Sequence, residues 1–343
     1  MFRIKCTVII LVFFVNFSIF SQEKKEEEKK FSLSGSADAY FRSNFNAPNG
    51  QNAVAPRSSF ANLSGFALGM ANVIATYQGE KVGFVADLVF GPRGEDAVFN
   101  SPSLRPGGSS NIVNQLYAYW NVSKSVKLTL GNFNTFLGYE VISPTGNFNY
   151  STSYLFSYGP FSHTGLKADI TLSEKTTLLL AVMNPTDATE FNPTGNYTIG
   201  AQLGYADQFL NVIADNRAFE IDYTGGFNIT EKFFLGINAA YFDNDGVGFT
   251  GGTLYPQYTT SEKLSIGLRT EYFKESGVFG AIGTGIADSS VFAVTLTANY
   301  KIDNLTIIPE LRLDSGSDNF FMDSNGSPKS NLSSFLVAAV YKF

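Results

Sequence analysis

The chain is poor in the residues from which most catalytic and metal sites are built. It has one cysteine and one histidine in 343 residues. Cys6 falls inside a leading apolar segment expected to be cut away, so the mature chain has no disulfide frame, thiol chemistry or cysteine metal site. A lone histidine, His163, excludes multi-histidine metal centres. Charge is scarce too: Asp, Glu, Lys and Arg make up 16% of the chain, against about a quarter in soluble domains. After the leader there is no long apolar run. The longest, 178–183 and 335–340, fall far short of the roughly twenty residues a membrane helix needs. Mean hydropathy is +0.01, which excludes a bundle of such helices; polar and apolar residues must interleave instead.

Residues 1–21 read as a secretory signal: Arg3 and Lys5 form the basic start, 7–20 the apolar centre, and Ser21 the small residue before a cut at Gln22. Losing Arg3 and Lys5 takes the 24 basic side chains to 22, against 30 acidic ones. That surplus of acid argues against nucleic acid as a partner. Residues 22–30, containing the mixed run EKKEEEKK, read as a charged, solvated periplasmic linker. An exported chain with no helical anchor is either secreted or a barrel, and 31–343 is read as one barrel domain.

What is abundant is aromatic and glycine residues, with 33 Phe, 17 Tyr and 32 Gly, arranged with a period of two. Phe31, Leu33, Gly35, Ala37, Ala39 and Phe41 share one face; Ser32, Ser34, Ser36, Asp38, Tyr40 and Arg42 share the other. Such alternation denotes a strand that is apolar on one side and hydrated on the other. Strands are predicted over 31–42, 62–78, 82–90, 112–122, 126–131, 162–172, 176–183 and 197–205. The series continues with 208–214, 219–229, 233–242, 250–259, 263–273, 290–300, 305–314 and 333–343. The second is interrupted near Met70 and Asn72, where a bulge is expected. About sixteen strands result, with short turns alternating with longer loops: an all-β transmembrane antiparallel barrel with both ends on the periplasmic side.

The charged strand residues support lipid on the apolar face. Asp38, Arg42, Asp87, Lys127, Lys167 and Asp169 all fall on the polar face, as do Glu220, Asp222, Arg269, Glu271, Glu310, Arg312 and Asp314. A base facing the bilayer midplane costs about 2–4 kcal/mol, so lipid enforces this segregation. Aromatics form two bands, Tyr77, Trp120, Tyr205, Phe227, Tyr300 and Tyr341 near the short turns and Phe41, Phe90, Tyr241 and Tyr272 near the long loops. The final strand puts Phe335, Val337, Ala339, Tyr341 and Phe343 on one face. This resembles the terminal signal read by the barrel assembly machinery of the outer membrane.

One stretch breaks the rhythm. Residues 134–160 have no strand or helix period, yet carry Phe136, Leu137, Tyr139, Phe148, Tyr150, Tyr154, Phe156 and Tyr158. A loop that long inside a domain is functional or disordered, and this one holds too much aromatic surface to sit in water. It is read as folding inward to constrict the lumen.

Several segments resemble the OmpL-like β-barrel porins. They are Gly131-Asn132-Phe133, Leu137-Gly138-Tyr139-Glu140, Asn147-Phe148-Asn149-Tyr150-Ser151 and Tyr158-Gly159-Pro160-Phe161-Ser162-His163-Thr164-Gly165. Later segments of the chain, such as Pro309-Glu310-Leu311-Arg312-Leu313-Asp314, fit the same pattern. The resemblance covers nearly the whole mature chain and implies an outer-membrane pore. Where the family has a basic residue after the Asn-Tyr-Ser segment, this chain has Thr152.

Site expectations follow. Glu140 is the candidate constriction charge, opposed by Lys127, Lys167, Arg269 or Arg312 across a transverse field; the competing reading is a salt bridge that holds the loop down. Asp169, Glu271 and Glu310 complete the candidate lumen charges. His163 is read as a lumen hydrogen-bonding residue, not a catalytic one, since alternation puts Ser162 on the opposite face. Asp243-Asn244-Asp245-Gly246 and Asp323-Ser324-Asn325-Gly326 lack full calcium-loop spacing and read as turns. No cofactor is expected.

The function expected is a bacterial outer-membrane porin, not an enzyme, that lets ions and small hydrophilic solutes diffuse through a water-filled barrel. Lumen acids outnumber bases, which predicts weak cation preference. The alternative is a non-conducting barrel with an adhesive or structural role, plugged by the aromatic loop; a barrel enzyme and a secreted all-β binding domain rank below it. Trimers are usual for general porins, though no residue here marks a subunit interface, and homo-oligomerisation stays open.

Overall fold

Period-two patterning is realised as sixteen antiparallel strands closed into one ring. The computed structural model describes residues 30–98 and 110–343. The expected signal, most of the charged run at 22–30 and the middle of the 91–111 loop lie outside the described residues.

In chain order the strands are β1 (Lys30–Asn44), β2 (Gly65–Gln78), β3 (Val82–Phe90), β4 (Val113–Asn121), β5 (Val126–Asn134), β6 (Ser162–Thr171), β7 (Thr176–Met183) and β8 (Thr198–Tyr205). Then come β9 (Gln208–Ala214), β10 (Ala218–Asn228), β11 (Phe233–Asn244), β12 (Val247–Thr259), β13 (Leu264–Ser276), β14 (Ser290–Ile302) and β15 (Leu305–Gly316). A two-stranded hairpin of β16 (Phe321–Met322) and β17 (Pro328–Lys329) interrupts the last long loop, and β18 (Asn331–Lys342) completes the barrel. Each barrel strand pairs with its neighbours in the chain, and β18 pairs with β1, Ala339 opposite Ala39. Phe343 and Gly35 extend that seam with reciprocal backbone hydrogen bonds of 3.0 and 3.1 Å. Full closure leaves no unpaired edge. Two short helices, α1 (Pro92–Ala97) and α2 (Tyr154–Tyr158), lie in long loops. Among the described residues no helix is long and apolar enough to cross a membrane.

The bulge expected in the second strand is present. Ala37 pairs with Ala71 but Ala39 pairs with Leu68, so β2 carries one extra residue. Gly69 occupies the bulge because a Cβ there would stand 1.6 Å from an Asp38 carboxylate oxygen.

Alternation sets the two faces. On β14, Val291, Ala293, Thr295 and Thr297 are buried inside while Phe292, Leu296 and Tyr300 are exposed outside. Ten of the thirteen charged strand residues named from the sequence are buried; Lys127, Lys167 and Asp169 keep contact with water. Asp243 and Lys274 take the outward register, near the last residues of β11 and β13, where a charge is cheap because it sits at the interface, not the midplane. The aromatic bands are outward as well, with Trp120, Tyr205, Tyr300 and Tyr341 exposed at one end and Phe90, Tyr241 and Tyr272 at the other.

The rhythm of short turns and long loops needs one correction. The connections at 215–217 and 245–246 fall on the long-loop end, yet both are tight turns. Asp245 and Gly246 take φ of 53° and 87°, the left-handed pair that two-residue hairpins require, so the Asp243–Gly246 cluster is a turn and β11 and β12 run further than their apolar pattern.

The inner face is not uniformly polar. Leu332, Leu336, Ala338 and Val340 of β18 and Ile308 of β15 point inward and are buried. Leu336, Ala338, Val340 and Ile308 pack with Tyr40 and Tyr150, and Leu332 packs with Ala47 and Phe321. Loop, not solvent, covers that wall.

Candidate functional site

The segment 135–161 leaves β5, crosses the inside of the barrel and returns to β6, and its own sequence shapes it. The Asn147 amide closes the first half, accepting from Val141 N at 2.8 Å and donating to Val141 O at 2.6 Å. Ser153 caps α2 by accepting from Phe156 N at 3.0 Å.

Wall side chains then hold the loop by its backbone. Glu310 of β15 accepts from Tyr150 N and Ser151 N at 2.6 and 3.0 Å. Glu271 of β13 accepts from Tyr154 N and Leu155 N at 2.9 and 2.8 Å, taking up the unpaired amides at the start of α2. Arg312 donates to Thr152 O at 2.9 Å and forms an ion pair with Asp314 at 2.8 Å. Asp222 of β10 accepts from Gly138 N at 3.0 Å. Asp38 accepts from the Tyr150 hydroxyl.

Glu140 lies at the centre of this web. One carboxylate oxygen meets Arg269 Nη1 at 2.7 Å; the other accepts from Ser153 N and Oγ at 2.8 and 2.5 Å. Arg269 also donates to Ser151 O, Ser151 Oγ and Thr295 Oγ1. The two side chains are 2% and 1% exposed. In this placement Glu140 faces protein on all sides, and the ion pair fastens the loop to β13. A buried pair hydrogen-bonded to the loop on both sides is dear to break even where its net gain is small.

Aromatic packing completes the attachment. Tyr139 stacks on Tyr255 with ring centroids 4.3 Å apart. Phe156, Phe161 and Phe60 form a cluster with Met70, Val89 and Ile142. Arg93 of α1, which sequence reasoning missed, is buried over the Phe60 ring at 4.5 Å and donates to Ile142 O and Tyr150 O at 2.8 and 3.0 Å. Burial pulls its guanidinium below the usual arginine range. Its place in a loop of mixed charge carried no periodic signal.

The opposite wall is open in its short-turn half, while Asp87, Asn114, Asn132, Phe133 and His163 in its long-loop half are buried. Lys127, Lys167 and Asp169 meet there because β5 and β6 pair Lys127 with Asp169 and Thr129 with Lys167. Asp169 lies 3.5 Å from Lys127 and 3.1 Å from Lys167. The two lysines border a lumen cavity of about 870 Å³ lined by Gln78, Gln115, Tyr117, Tyr119, Asn121 and Thr129 among others. A second cavity of about 720 Å³ opens at the short-turn end beside Phe148, bordered by Glu231, Lys232, Lys301, Asp303 and Lys342. His163 belongs to neither. It is fully buried, 3.0 Å from Thr135 Oγ1 and tilted against Phe133 and Phe136.

The expected lumen charges therefore divide. Glu140, Arg269, Glu271, Glu310 and Arg312 come together around the loop; Lys127, Lys167 and Asp169 form a separate wet group; His163 stands apart.

A closed sixteen-stranded barrel with charges inside, apolar residues outside and a long loop tied within its lumen is the architecture of an outer-membrane porin. The sequence matches the family model described as putative beta-barrel porin-2, OmpL-like, over residues 30–343, and the chain belongs to that family. Its place is accordingly the outer membrane. No curated protein sequence matches it. Among solved structures it resembles an anion-selective porin from Comamonas acidovorans at 10% identity and TM-score 0.60, covering 92% of this chain and 100% of that one. It also resembles the trimer form of OmpT, an outer membrane protein of Vibrio cholerae, at 11% identity and TM-score 0.53, with 92% and 100% covered. A mutant Rh. blastica porin aligns at 13% identity and TM-score 0.54 over the same shares. At such identities the likeness is one of fold.

Proposed function

We propose that the protein is a non-enzymatic diffusion pore for ions and small hydrophilic solutes, that residues 134–160 narrow it, and that the route passes the short-turn half of the wall of β3 to β6. The observation that carries this reading is the polar cavity of about 870 Å³ bordered by Lys127 and Lys167, on the side of the lumen away from the loop's anchors.

The charges that water reaches differ from those the sequence suggested. Most lumen acids are committed to loop amides or to arginine. Around the two cavities stand Lys127, Lys167, Lys232, Lys301 and Lys342, against Glu80, Asp169, Glu231 and Asp303. We therefore replace the cation preference expected from total lumen charge with a weak anion preference. The test is recording from the refolded protein in a planar bilayer under a salt gradient. Stepwise currents with a reversal potential of the anion sign are expected; steps with clear cation selectivity overturn the assignment of the route.

One observation favours a second reading, a barrel shut at rest. The cluster of Phe60, Val89, Ile142, Phe156 and Phe161 fills the lumen's long-loop half with apolar side chains. Absence of any step in wild-type protein, with steps appearing once the loop is untied, would identify that state.

A further inference from the structure

A third cavity, of about 200 Å³, lies at the long-loop end beneath Tyr158, Gly159 and Pro160, where the inward loop rejoins the wall. Its polar lining includes Thr198 at the start of β8, Glu220 near the start of β10, Thr186 and Asp187 in the connection between β7 and β8, and Asp215 in the turn after β9, which accepts from Arg217 N and Ala218 N at 2.7 and 2.8 Å. None of these residues takes part in holding Glu140 or in the open wall.

Glu220 is buried, yet its carboxylate makes no hydrogen bond and no ion pair with any described lysine or arginine. Thr198 Oγ1 is buried and likewise has no partner. Asp187 spends one oxygen on Phe161 N and Ser162 N, each at 2.8 Å, and no base offsets its charge. Elsewhere in this lumen buried carboxylates are met by amides, hydroxyls or arginine. Here two carboxylates and a hydroxyl converge on empty space, a costly arrangement unless something brings positive charge and donors.

The remaining lining narrows the ligand. Pro160, Ile213 and Phe242 supply apolar surface beside the acids. Among the described residues no group of three or more Asp, Glu, His or Cys is arranged to hold a metal ion. A cavity this small is below the size of sites for drug-sized ligands, and suits a molecule of a few heavy atoms. A cation with N–H donors at one end and a short apolar chain matches both halves.

We propose that the pocket formed by Thr198, Glu220 and Asp187 binds the ammonium group of a small alkylamine at the long-loop mouth of the barrel. The ammonium donates to the Glu220 carboxylate, the free Asp187 oxygen and Thr198 Oγ1, and the alkyl chain rests on Ile213 and Phe242. This goes beyond the pore reading, and equilibrium binding tests it whether or not the barrel conducts.

Isothermal titration of the detergent-folded full-length barrel with n-butylammonium provides the test, with tetramethylammonium and Mg²⁺ as controls. Saturable butylammonium binding is expected, weakened about tenfold by Glu220→Gln, as befits a lost charged hydrogen bond. Thr198→Val is expected to weaken it about threefold. Tetramethylammonium, which has no N–H, is expected to bind more weakly than butylammonium. Equal affinity of the wild type and E220Q overturns the proposal. So does equal affinity for the two ammonium ions, or tighter binding of Mg²⁺. Heat-modifiable gel migration reports folding of each variant; if E220Q does not fold, T198V decides, and unchanged affinity there overturns the proposal.

Discussion

The wall of β12 to β15 and the wall of β3 to β6 use like charges for opposite ends. On the first, Arg269, Glu271, Glu310 and Arg312 are dry, and each is bound to the inward loop. On the second, Lys127, Lys167 and Asp169 form a half-wet triad across β5 and β6. Arginine's planar fork fits the buried role, and lysine's compact, strongly hydrated ammonium fits the wet one. Burial and chemistry together, not charge counts, decide which of these residues water reaches.

This contrast is open to attack in order of size. Arg269→Met leaves Glu140 buried without its counter-charge and is expected to lower stability by about 3–5 kcal/mol, measured by urea unfolding in lipid vesicles. The double variant Arg269→Met/Glu140→Leu should recover much of that loss. A single variant as stable as the parent would mean that the loop is not held at this point. The same single variant is expected to raise conductance, because it frees the loop.

The next effect is one of pH. Burial pushes the Asp187 carboxyl from 3.8 up to about 6. An acid raised in the folded state favours folding at low pH, and that contribution is lost as pH climbs through the folded value. Between about pH 4 and pH 7 the barrel should lose roughly 3 kcal/mol from this group. Asp187→Asn should flatten that portion of the profile while keeping an acceptor for Phe161 N and Ser162 N. A parent profile with no slope in this range refutes the assignment.

Smaller again is Glu310→Gln. One acceptor oxygen remains for the two amides of Tyr150 and Ser151, so a cost of about 1–3 kcal/mol is expected. Smallest in stability is Lys127→Gln/Lys167→Gln, at under about 1 kcal/mol, because these ion pairs are partly solvated. Its effect belongs in the reversal potential, which should move toward cation selectivity. An unmoved potential would take the pair out of the conduction route.

The barrel itself was legible because lipid outside and water or polar protein inside leave a period of two that no helix imitates. Strand ends were less legible. Charges and glycines at 243–244, 247–248 and 274–276 look like loop, yet they belong to β11, β12 and β13. The inward loop showed itself through aromatic content that water would not tolerate. Its partners did not. Arg269 and Glu140 are separated by 129 residues, and alternation reports only that Arg269 points inward, not what it meets there. The inward Leu336, Ala338 and Val340 of β18 were hidden for a related reason. Period-two reading assigns one face to oil and the other to water, and has no category for a face covered by protein.

That strand carries a consequence for biogenesis. Until Tyr150 arrives from one side and bilayer from the other, Phe335, Val337 and Ala339 flank one side of a ribbon whose reverse is Leu336, Ala338 and Val340. A chain in transit through an aqueous compartment thus trails a tail that is greasy front and back, the kind of segment that self-associates when left unaccompanied. Early sealing of the β1–β18 seam is what shields the last dozen residues on both sides.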